Sequence, residues 1–141
     1  GCAARGSPGT EIDDNDDTRA LLKERESYRS GIEAKDAQKI IGLVADSFKD
    51  DSGTATPEDD LDFATLRERL PQNLSKLDNV RLEMTVRKID IFKQENVARA
   101  VFTYTTSFRM PGLTSKPYSD SEIKEMQFKR IGDDWKITSG I

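Results

Sequence analysis

At Val80 the apolar residues of this chain change their spacing. Before that point they recur every three or four positions; after it they alternate. The first spacing lines one stripe of a helix, and the second lines one face of a strand. A chain that spends its first half on one period and the rest on the other folds as helices laid against an antiparallel sheet, an α+β architecture.

In the first half, Leu21, Tyr28 and Ile32 predict a helix from about Asp16 to Glu33, with Gly31 beside the stripe leaving room for a close neighbour. Asp36 caps a second helix, in which Ala37, Ile40, Ile41, Val44 and Phe48 keep the period. A polar loop runs from Asp50 to Thr56, and Thr56-Pro57 suits the start of a third helix. Phe63, Leu66, Leu70, Leu74 and Leu77 form its apolar face, and Pro71 is expected to kink or divide it.

In the second half, Val80, Leu82, Met84 and Val86 alternate, and Ile89 and Ile91 continue on the opposite parity. That shift predicts a bulge near Arg87-Lys88. Gln94-Glu95-Asn96 reads as a hairpin connection. The next strand carries Ala98, Ala100, Phe102, Tyr104, Thr106 and Phe108 on one face, with Arg99, Val101, Thr103 and Arg109 on the other. Ile123 to Ile131 and Trp135 to Ile141 complete the sheet, with Trp135 directed toward the helices.

The chain's 141 residues suffice for one domain with its own core, and the formal net charge of −4 disfavours a nucleic-acid partner. There is no histidine, which excludes a Ser-His-Asp triad and imidazole metal ligation. A single cysteine, Cys2, allows neither an internal disulfide nor a cysteine-rich zinc site. Acid–base chemistry is left to Asp, Glu, Tyr, Lys or water. No metal site and no cofactor are expected, and no run approaches the roughly 18 apolar residues of a membrane helix.

Gly1-Cys2, followed by Ala, Gly, Ser and Pro, resembles the end of a bacterial lipobox and its tether. Residues 1–15 are read as a flexible tether behind a lipidated Cys2, and 16–141 as the domain. The expected location is then the bacterial cell envelope, with a membrane met only through the lipid. If Gly-Cys comes from a cloning tag, the location is cytoplasmic. Asp13, Asn15, Asp17 and Glu24 mimic calcium-loop spacing, but Thr18 stands where that loop needs glycine. Asp14, Asp16 and Asp17 read instead as carboxylates at a helix N-terminus.

The segments "YRSGIEAKDAQKIIGLVADSF", "FTYTTSFRMPG" and "FKRIGDDWKITSG", in this order and spacing, resemble the nuclear transport factor 2-like superfamily. That superfamily includes ketosteroid isomerase, scytalone dehydratase and polyketide cyclase-like proteins. The resemblance covers roughly residues 17 to 141. It implies a cystatin-like cone of three N-terminal helices packed on a strongly curved antiparallel sheet, open at one end. Tyr28 then falls at the position of an enolate-binding tyrosine. The position of the catalytic base falls near Ser52, beside Asp50 and Asp51, and that of a late-strand acid near Met126, which offers no proton.

Tyr28, Asp50 and Asp51 are therefore the catalytic candidates. Tyr28, Ile32, Phe102, Tyr104 and Thr106 are expected to line a pocket, together with Phe108, Met126, Phe128 and Trp135. The leading reading is a non-enzymatic, envelope-anchored domain that binds a small apolar molecule or a protein partner. The alternatives are an isomerase, dehydratase or cyclase-type lyase using Tyr28 and an aspartate, or a dimerisation module with a filled core. A homodimer would form through the outer sheet face.

Overall fold

A computed structural model describes residues 14–50, 61–112 and 116–141. Helix α1 covers Asp16–Glu33, the span its periodicity predicts. It begins in a reciprocal cap: Thr18 N–H donates to Asn15 Oδ1 at 2.9 Å, and Asn15 N–H donates to Thr18 Oγ1 at 3.0 Å. Asp16 and Asp17 fill the first turn, where the helix dipole favours carboxylates. Thr18, the residue that spoils the calcium-loop pattern, is thus half of a helix cap.

Helix α2 is shorter than its pattern suggests, Ala37–Ile41, capped by Asp36. Val44 and Phe48 are buried as expected, but from non-helical backbone. The chain leaves the helix because Leu43 and Ala45 are drawn into backbone pairing. Ile137 N–H donates to Leu43 O and Ala45 N–H donates to Ile137 O, both at 2.9 Å. The apolar spacing reported burial correctly and helix incorrectly.

Lys49–Asp50 (β1) pairs antiparallel with Leu61–Asp62 (β2). Helix α3 then runs Phe63–Ser75, and Asp62 caps it by accepting from Thr65 N–H at 2.7 Å. The expected start at Thr56-Pro57 lies outside the described residues, and Leu61–Asp62 is strand rather than helix. Pro71 does not divide α3, which continues to Ser75.

Four long strands make the main sheet: β3 (Asp78–Phe92), β4 (Val97–Arg109), β5 (Tyr118–Ile131) and β6 (Asp134–Ser139), antiparallel in that order. The register of β3 on β4 slips between Val86 and Lys88, the bulge that the change of parity predicts. Strand β5 starts at Tyr118, ahead of the expected Ile123, because its polar first half pairs with β4 as far as Phe108. The inner face presents Leu82, Met84, Phe102, Tyr104, Met126, Phe128, Trp135 and Ile137 to Leu21, Tyr28 and Ile40. Trp135 retains 4% of its surface, as its strand phase requires.

Helix α1 is tied to the free edge of β3 by side chains one turn apart. Arg25 Nη1 donates to Met84 O at 2.9 Å, Arg29 Nη1 donates to Leu82 O at 3.3 Å, and Glu33 Oε2 accepts from Leu82 N–H at 3.0 Å. The Leu82 N–H and the neighbouring Arg29 hold the Glu33 carboxyl below its usual range, against the opposing effect of desolvation. A carboxyl depressed in the folded state stabilises the fold above its unfolded pKa and ceases to do so as pH falls through the folded one. Glu33→Gln is therefore expected to lower the denaturant midpoint near neutrality. The gap to the parent chain should narrow progressively below about pH 4.3, the ordinary glutamate value. Urea titrations of both proteins across that range measure it; a gap that does not change with pH would remove Glu33 from the clamp.

Candidate functional site

Of the catalytic candidates, Tyr28 and Asp50 are described and lie close enough for the charge of Asp50 to act on the phenol; Asp51 lies outside the described residues. Tyr28 arrives on the buried stripe of α1 and keeps 6% of its surface. Asp50 arrives from β1, and Tyr104 from the inner face of β4. Gly140, just past β6, joins the last two. Its N–H donates to Asp50 Oδ2 at 2.8 Å, and its carbonyl accepts from the Tyr104 hydroxyl at 2.7 Å.

Burial pushes the Tyr28 phenol well above its ordinary range, and the negative charge of Asp50 pushes it further. Tyr104 is raised in the same way by burial, then by Tyr28, Asp50 and Glu122. Both phenols stay neutral through the physiological range. The Tyr104 proton is committed to Gly140. The Tyr28 hydroxyl makes no hydrogen bond among the described residues. Lys124 completes the group: its Nζ lies 4.7 Å from the centre of the Tyr104 ring, donates to Ile141 O at 3.1 Å and pairs with Glu122 at 3.5 Å.

The remaining pocket candidates divide by depth. Phe102, Met126, Phe128 and Trp135 are sealed in the core. Ile32, Thr106 and Phe108 are half-buried, and the Phe108 ring lies 4.8 Å from that of Tyr118. Two hollows are present, and Phe128 lines the first. One, of about 380 Å³, includes Phe92, Val97, Arg99, Gln127 and Thr138; the other, of about 420 Å³, includes Val44 to Ser47 with Lys129, Ile131 and Lys136.

Chemically, this group offers one uncommitted neutral donor beside a carboxylate. An enolate site needs two donors aimed at one oxygen and a base within reach. Here the second phenol serves a backbone carbonyl, and the buried Met126 side chain has no proton to give. Sequence reasoning placed Tyr104 only as lining and missed Gly140, Glu122 and Lys124. Alternation along β4 and β5 carries the signal for Glu122 and Lys124, because both share the parity of Met126. Gly140 gives no such signal, since its role depends on where β6 ends.

No family model and no curated protein matches the sequence. Solved structures match the fold. A conserved protein from Planctomyces limnophilus superimposes with a TM-score of 0.74 at 14% identity, covering 87% of this chain and 91% of that one. A nuclear transport factor 2-like superfamily protein from Salmonella enterica gives 0.71 at 12%, covering 86% and 85%. A Streptomyces avermitilis protein, named as a candidate dehydratase of the same family, gives 0.71 at 12%, covering 87% and 92%. The chain thus has the nuclear transport factor 2-like fold, as the sequence resemblance implied.

The Gly140 junction has no room for a side chain. Its φ is +90°, and an added Cβ would collide with the Glu125 carbonyl oxygen and stand 2.7 Å from Met126 Cα. Both obstacles are backbone and cannot swing away. Gly140→Ala is expected to cost on the order of 3 kcal/mol. Chemical denaturation measures this, and an unchanged midpoint would show that Gly140 is not held between Asp50 and Tyr104.

Proposed function

With the nuclear transport factor 2-like fold as premise, we propose that this chain is a non-enzymatic binding domain of the bacterial envelope. Its inner face takes up a small, largely apolar molecule beside Tyr28 and Tyr104. The observation that carries this reading is the Tyr28 hydroxyl, neutral and with no hydrogen bond among the described residues, on a side chain that keeps 6% of its surface among aromatic and aliphatic neighbours. A ligand acceptor group would take its proton in a site largely sheltered from water. Commitment of Tyr104 and Asp50 to Gly140 argues against turnover.

Nile red, a neutral apolar dye with a carbonyl, is a suitable probe. Saturable binding is expected, weakened several-fold to about tenfold in Tyr28→Phe, the usual span for one hydrogen bond. A parallel assay with a 3-oxo-steroid should give no turnover. One observation favours the enzyme alternative: the charge of Asp50 acts directly on Tyr28. Turnover that disappears in Asp50→Asn would establish an isomerase or lyase instead. Absence of any uptake would leave the dimerisation module, for which the outer face, with Ile123 58% exposed, is the candidate surface.

The envelope assignment rests on Cys2, which lies outside the described residues. In a bacterial host, a precursor carrying a lipoprotein signal ahead of Cys2 should fractionate with membranes, and its Cys2→Ser form should not. Such anchoring takes more than one acyl chain, since a single chain holds only reversibly. Identical fractionation of the two forms would exclude lipidation at this residue.

A further inference from the structure

We propose that the molecule taken up on the inner face carries a positive charge, an aryl or alkyl ammonium rather than a neutral or anionic compound. This rests on the binding reading above and narrows it. The register of β4 on β5 sets Phe108 opposite Tyr118, Thr106 opposite Asp120, Tyr104 opposite Glu122 and Phe102 opposite Lys124. Alternation puts all eight on one face. From Tyr104 to Phe108 this row extends about 13 Å at the usual strand rise. It leads from the buried phenols out to the Phe108–Tyr118 ring pair, where Tyr118 is 51% exposed.

Aromatic faces and carboxylates alternate along the row, and together they suit an organic cation. Asp120 and Glu122 lie on β5, and the charge of Asp50 acts on Tyr104 and Tyr28. Against these three acids the row holds one base, Lys124. Its ammonium already shows the fit, resting 4.7 Å from the Tyr104 ring centre and 3.5 Å from Glu122. Tyr28, which keeps 6% of its surface and makes no hydrogen bond among the described residues, is an independent pointer, because its oxygen can accept from an N–H⁺ donor. Along the row Asp120 and Glu122 stand outward of Lys124, so an anion entering here would meet two carboxylates first.

Calorimetric titration of the full chain with three probes of similar size tests the idea: 2-phenylethylammonium, 2-phenylethanol and 3-phenylpropanoate. The ammonium should bind about tenfold tighter than the alcohol, as a desolvated cation–aromatic contact allows, and the carboxylate weakest. Exchanging both exposed acids, Asp120→Asn with Glu122→Gln, should bring ammonium and alcohol within about twofold of each other. Lys124→Met, which frees the ring face, should tighten the ammonium. Equal affinity for the ammonium and the alcohol, or a preference that survives the double exchange, overturns the proposal. If none of the three binds while Nile red does, the charge preference falls and the binding site stands. If Nile red fails as well, both fall.

Discussion

The contact on which the rest depends is the row of hydrogen bonds from α1 to the free edge of β3. An uncovered strand edge is an invitation to pair with another chain, and proteins must close it. Here Arg25, Arg29 and Glu33 satisfy the Met84 and Leu82 backbone, while the adjoining stripe of the same helix buries Leu21 and Tyr28. One helix therefore blocks an edge and delivers a functional side chain. At the far edge, Leu43 and Ala45 do the same for β6 with backbone rather than side chains. Helix α2 stops short to make that possible.

With both edges closed, the sheet has two faces of different character. The inner face is apolar where the helices cover it and turns polar toward Asp120 and Glu122. The transition falls at Tyr104, whose ring contacts Phe102 edge-on and carries the Lys124 ammonium over its face. This boundary is where a ligand can be desolvated on an apolar floor and still meet charge. Gly140 holds it in place, because it ties a residue of β4 to a residue of β1 through its own two backbone groups.

Much of this was legible beforehand, for definable reasons. Helix α1, the bulge after Val86 and the burial of Trp135 follow from local periodicity, which a short window of sequence contains. The truncation of α2 was not legible, because Val44 is apolar at a helical spacing and only the arrival of Ile137 makes an extended backbone preferable. The early start of β5 was hidden likewise: Tyr118 to Glu122 has no apolar alternation and becomes strand by pairing with β4.

The site divides along the same line. The sequence alone determined the chemical menu, since a chain without histidine and with one cysteine leaves only carboxylates, phenols and amines to act. It also placed Tyr28 on a buried stripe, because that position depends on neighbours within two helical turns. Only the tertiary structure decided that the charge of Asp50 reaches Tyr28, that Tyr104 is committed to Gly140, and that Lys124 rests on an aromatic ring. Those outcomes depend on contacts between residues up to 90 positions apart, as in Asp50 and Gly140. Periodicity reports which face a residue occupies; only packing brings two faces together.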